Sequence, residues 1–202
     1  MTARLLIVAD DYGYSPAYNR GILEAVRAGT IDAAGAMVVR PWCDPAPLLN
    51  AGVEVGLHIE AGGSLDLQLE RFERLFGAPP RYLDGHHHCH ADPGLEDVVV
   101  DHALRLGVRV RSIDERQRGR LRETGVATPD RLVGRLDEAQ DPLLPEIAAV
   151  IGGSAPPEGV TEWMTHPGRR DAELGSRYDE GREADLELLL RLRGDPAIAA
   201  WR

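Results

Sequence analysis

Short apolar runs alternate with amphipathic stretches along the chain. Leu5 to Ala9 reads as a buried strand. Pro16 to Ala28 reads as a helix, with Ser15 as N-cap, Pro16 in the first helical position and Gly29 as its stop. A strand over Ala33 to Val39 and a short helix from Pro45 to Ala51 follow. Val53 to His58 is a third strand, and Leu65 to Phe76 repeats apolar residues at helical spacing up to Gly77. Arg81 to Asp84 predicts a short strand, Pro93 to Leu106 a helix stopped by Gly107, and Val108 to Val110 a strand. The polar, Arg-rich stretch from Ser112 to Pro129 reads as a long loop. Pro142 to Ile151 is helical, Gly152 to Gly159 a turn, Val160 to Thr165 a strand and Glu180 to Arg193 an amphipathic helix. Strands alternating with helices imply a parallel sheet or an α/β barrel.

The expected strand ends are chemically rich. Asp10 and Asp11, His58, His86, Arg111 and His166 each stand at or just past the end of an expected strand. In α/β barrels such ends converge on the active site, so residues distant in sequence are expected to meet. Asp10 and Asp11, on opposite sides of a strand, can take two roles, one as metal ligand and one as base; the alternative is that one caps the turn. His58 alone reads as a ligand or as a hydrogen-bonded core residue. The sharpest signal is Asp84-Gly85-His86-His87-His88-Cys89-His90, because neutral imidazole is the commonest metal ligand. Strand alternation places His86 and His88 on one side and His87 elsewhere, with Asp84 behind a ligating ring. Cys89 is a soft ligand or a small apolar core residue. His166 is a general acid or a capping or core histidine, Arg111 pairs with a catalytic carboxylate or forms a surface salt bridge, and Glu162 is ambiguous, with a structural role favoured.

Composition narrows the class. The 202 residues, 43% of them hydrophobic, suffice for a single domain over 1–202. No apolar run reaches membrane-spanning length, and the apolar run at Leu5 is too short for a secretory leader. With only Cys43 and Cys89, the expected location is cytoplasmic. The net charge is −10 and every Lys/Arg position is Arg, so nucleic acid and membranes are poor partners.

Together these residues resemble the YdjC/ChbG family of carbohydrate deacetylases. The matching pieces are Leu6 to Ser15 with Asn19 to Ile22, then Val55 to His58, then Leu83 to His90 with Pro93-Gly94. Gly107 to Arg111 follows, and last comes Glu162 to Gly168 with Tyr178, Arg182 and Leu186. The resemblance implies a distorted (β/α) barrel of the polysaccharide-deacetylase type. It implies one divalent metal, zinc or magnesium, on Asp11, His58 and His86, with Asp10 as general base, Arg111 orienting it and His166 as general acid. The substrate would be an N-acetylated amino sugar or oligosaccharide, with Tyr12, Tyr14 and His88 as candidate contacts. Trp42 is a further candidate to stack on a sugar ring, with core packing the favoured role. A homodimer is compatible with this reading. Two departures stand out: only residues 59–80 separate the second and third pieces, where relatives carry a longer insertion that bears on substrate selection, and the chain stops at Arg202, so an incompletely closed barrel is expected. The same ligand types occur in non-haem iron oxygenases, and a non-catalytic carbohydrate- or metal-binding relative is a third reading.

Overall fold

The computed structural model describes residues 2–134 and 144–202. Its elements are β1 (Arg4–Tyr12), α1 (Pro16–Arg27), β2 (Ala33–Ala36), α2 (Ala46–Ala51), β3 (Glu54–Ile59), α3 (Leu65–Phe76), β4 (Tyr82–Gly85), α4 (Glu96–Leu106) and β5 (Arg109–Val110). They continue as α5 (Glu115–Thr124), β6 (Arg131–Gly134), α6 (Pro145–Ile151), β7 (Val160–Thr165), α7 (Asp179–Arg191) and α8 (Pro196–Trp201). The strands form one parallel sheet in the order β5-β4-β3-β2-β1-β7-β6. Among the described residues no strand joins β5 to β6, so the (β/α) barrel is distorted and open.

Local chemistry accounts for most element ends. Ser15 accepts from the Tyr18 amide at 3.2 Å, with Pro16 starting α1. Ser64 caps α3 in the same way, and Gly77, at φ 72°, ends it in the left-handed conformation that glycine adopts without strain. Leu5 to Tyr12 are all buried, because a central parallel strand is covered on both faces. The main core runs from Ile7 and Leu57 in the sheet to Phe72, Ile147, Leu186 and Trp201 in the covering helices.

Several expectations need correction. The second strand ends at Ala36 rather than Val39. The helix expected from Pro93 begins at Glu96, after a short 3-10 segment over His86–Ala91. The stretch expected to be a loop from Ser112 to Pro129 contains α5, capped by Asp114, which accepts from the Gln117 amide at 2.7 Å, and closed by Gly125 at φ 85°. Strand β6 and helix α8 were not anticipated. Residues 142 and 143 of the helix expected from Pro142 lie outside the described residues. No helix among those described is long and apolar enough to cross a membrane.

Candidate metal centre and catalytic cavity

A cavity of about 600 Å³ opens at the C-terminal ends of the strands. Asp10, Asp11, His58, His86, His87, His88 and His166 all line it. Strand β1 does not deliver its two aspartates by simple alternation. Its register with β2 shifts between Ala9 and Tyr12, and Asp11 takes φ 68°, a conformation that costs a non-glycine residue about 1–3 kcal/mol. That irregularity turns both carboxylates toward one cavity, as backbone strain at functional positions often does.

Asp11 is the centre of one cluster. Its Oδ1 lies 2.8 Å from His86 Nδ1 and 3.2 Å from His58 Nε2. The other ring nitrogen of His58, Nδ1, lies 2.8 Å from Asp84 Oδ1. A proton kept on Nδ1 by Asp84 would leave Nε2 to serve as a metal donor beside Asp11. Burial works against ionisation of Asp11, but the Arg182 guanidinium and the two imidazoles outweigh it and hold its carboxyl well below the usual range. Burial likewise opposes the charge on His58, and Asp84, Asp10 and Asp11 override it, raising its pKa well above normal.

Arg111 is the centre of a second cluster. It is 1% exposed. Its Nη1 and Nη2 donate to the two oxygens of Asp10 at 2.6 and 2.8 Å. Nη2 also reaches Asp84 Oδ2 at 3.0 Å, and Nε donates to Glu162. One cation therefore fastens Asp10 and, through Asp84, the ring of His58. Burial raises the pKa of Glu162, against the pull of Arg111. His166 follows β7; its Nε2 is 3.8 Å from Asp10 Oδ2, and burial lowers its pKa. Its backbone amide donates to Asp185 at 2.8 Å.

The residues expected in the site are thus largely brought together, with exceptions. Tyr12 does not line the cavity: it is 1% exposed, and its hydroxyl donates to the Asp44 carbonyl at 2.7 Å. Tyr14 does line it, beside His86 at 5.6 Å between ring centres. Trp42, expected in the core, is 52% exposed. The alternation expected for the histidine run fails because His87 and His88 adopt φ 52° and 58° within the 3-10 segment. That turn leaves His86, His87 and His88 all on the cavity, and sends His90 inward to the Arg111 carbonyl at 3.1 Å. Cys89 is buried and donates to the Ile59 carbonyl at 3.3 Å, as a small core residue would. Tyr18 and the placement of Arg182 beside Asp11 escaped sequence reasoning, because no spacing relates a helix at residue 182 to the end of β1.

Asp11, His58 and His86 offer three donor atoms within 4.8 Å of one another. One carboxylate and two imidazoles suit a divalent transition metal. A second group, Asp10, His58 and Asp84, is equally compact, but Arg111 already occupies both of its carboxylates. A cation placed there would face a guanidinium, so the first group is the better fit.

The fold and the site define an open parallel α/β barrel with a carboxylate–imidazole centre at its strand ends. The sequence profile of the YdjC-like protein family matches residues 4–63 and 60–198, and the chain belongs to that family. It is 28% identical to a chitooligosaccharide deacetylase of Serratia marcescens, over 98% of this chain and 95% of that one. A match to the chitooligosaccharide deacetylase of Enterobacter sp. (strain 638) is 30% identical but spans 55% of this chain and 60% of the relative. In fold, the chain is similar to a crystal structure from Enterococcus faecalis V583, described as a proposed cellobiose-phosphate cleavage protein. That likeness has a TM-score of 0.77 at 22% identity, over 98% of this chain and 95% of the other.

Proposed function

We propose that the protein is a metal-dependent hydrolase that removes acetyl groups from N-acetylated amino sugars or their oligosaccharides. The observation that carries this reading is the pairing of two adjacent carboxylates with different surroundings. Asp11 faces two imidazoles, while Asp10 faces a buried guanidinium and the same cavity. The names of the full-length relatives support the substrate class.

Asp11, His58 and His86 would hold the metal, with zinc favoured over magnesium because two of three donors are imidazoles. When bound, such an ion polarises the acetyl carbonyl and lowers the pKa of a water beside it. Asp10 takes the proton from the attacking water. Arg111 holds both oxygens of Asp10, so the base keeps one orientation. His166, on the same cavity and 3.8 Å from Asp10, takes up a proton and passes it to the departing amine nitrogen. The products are acetate and a free amino group on the sugar. Tyr14, ringed by His86 and by Arg40 at 4.6 Å, forms an aromatic wall for the sugar, and His88 lines the same space.

The test is acetate release from a panel of N-acetylglucosamine oligomers by the wild type and Asp10→Asn. The variant is expected to lose about 10²–10⁴-fold in kcat/KM while taking up metal as the wild type does. Near-normal turnover by Asp10→Asn would remove the base assignment. Metal uptake without acetate release from any oligomer would favour a binding module.

A further inference from the structure

Arg182 has no part in the chemistry above, yet it touches the centre directly. It comes from α7, far along the chain from β1, and its Nη2 donates to Asp11 Oδ2. The two oxygens of Asp11 are therefore unlike: Oδ1 faces His58 and His86, and Oδ2 is committed to Arg182. The arginine is itself held. Its guanidinium carbon sits 3.9 Å from the centre of the Tyr18 ring, and the Tyr18 hydroxyl is fixed by Asp179 Oδ1 at 2.9 Å. On its backbone side the Arg182 carbonyl accepts from the Gly168 amide at 3.2 Å, and a methyl group at Gly168 would press on Arg182 Cβ and Cδ at 3.2 Å. Flat stacking on an aromatic face suits a planar guanidinium better than an ammonium.

We propose that Arg182 is a positioning residue that fixes the carboxylate plane of Asp11, so that the aspartate offers a single oxygen, Oδ1, to a divalent cation shared with His58 and His86. The proposal rests on the metal reading of that triad. Two influences on a bound cation oppose each other: the charge of Arg182 repels it, and the hydrogen bond of Arg182 aims its ligand. The charge is already paired with Asp11. Without Arg182, Oδ2 is a buried acceptor lacking its donor, and the carboxylate turns to find another. Orientation therefore dominates, and removing the arginine weakens metal binding although a positive charge has been taken away. Partners behind a metal ligand typically contribute about 10–100-fold in affinity.

The experiment is titration of the metal-free full chain with Co²⁺, following heat and the visible absorption of the bound ion. Arg182→Met is expected to bind about 10–100-fold more weakly than the wild type, with an altered spectrum. Arg182→Lys keeps a charge but not the stacked plane, and is expected to fall between them. Affinity in Arg182→Met equal to or tighter than wild type overturns the proposal, because charge repulsion alone predicts tightening. If Arg182→Met does not fold, Arg182→Lys decides: wild-type affinity and spectrum overturn the proposal, and weakened binding upholds it. A wild type that binds no Co²⁺ overturns the metal reading itself, a result distinct from a wild type that binds and a variant that binds equally.

Discussion

Arg111 shows how far a single residue can reach. It is buried with Asp10, Asp84 and Glu162 around it, so its loss would leave three buried carboxylates without their shared cation. Breaking one buried pair by deleting a partner costs about 3–5 kcal/mol. Arg111→Met is therefore expected to lower unfolding free energy by at least about 3–5 kcal/mol in urea titrations, whatever happens to activity. A loss under about 1 kcal/mol, the scale of an exposed ion pair, would show that the cluster is not buried as described. At this scale the sequence was informative where chemistry coincided with a strand end. Asp10, Asp11, His58, His86 and Arg111 all announced themselves that way, and Asp84 by its place beside the histidine run. The partner of Glu162 was not legible, because one inward glutamate on a strand carries no pattern that points to Arg111. Arg182 did not either, because the contact to Asp11 depends on how α7 docks. Tyr12 misled for a related reason: the β1 irregularity that turns Asp11 outward leaves the next ring in the core.

Among elements, strongly apolar or well-capped segments were readable and weakly apolar ones were not. Helix α5 buries only Gln117 and Leu121, one turn apart, among arginines and a central glycine. Its caps, Asp114 and Gly125, were the surviving signal. Helix α8 likewise begins with Asp195, which accepts from the Ala197 and Ile198 amides. Two glycines in helices make opposite predictions. Gly119 in α5 has open space around a would-be Cβ, so Gly119→Ala should stabilise by up to about 1 kcal/mol through helix propensity. Gly21 in α1 has the Gly168 Cα only 2.5 Å from that position. There the propensity gain is opposed by a backbone clash costing about 1–3 kcal/mol, so Gly21→Ala should destabilise. Melting temperatures of the two variants should move in opposite directions. A rise in both would mean that α1 can retreat from the loop after β7 without loss. The close approach matters to the site, because that loop carries His166 and supports Arg182.

At the scale of the molecule, an open sheet has gathered its ionisable groups at one end and buried many of them. The alternation of strands and helices made that sheet legible; its strand order was not, because no local spacing relates β6 and β7 to β1. Burying titratable groups ties stability to pH, and His90 offers the clearest case. It is fully buried beside the Arg111 carbonyl. Burial first, then Arg111 and His88, push its pKa down to about 3 against the pull of Asp84. In the unfolded chain a histidine titrates near about 6.5. Between those values the unfolded state binds a proton that the folded state refuses. Its contribution is complete above about pH 6.5 and declines as the pH falls toward 3, by about 1 kcal/mol per unit. His58 behaves oppositely, since its raised pKa gives stability already complete below about 6.5. It adds no slope on the acid side. His87, His88, His102 and His166, all lowered, add slope of the same sign as His90, so the wild-type profile alone does not isolate one residue. The comparison with His90→Gln does. Measured by urea unfolding in chelator between roughly pH 4.5 and 6, the variant should show a slope shallower by about 1 kcal/mol per pH unit, even if it is less stable throughout. Parallel profiles would mean that His90 gains its proton in the folded state, and that the turn carrying His86 opens before the protein unfolds.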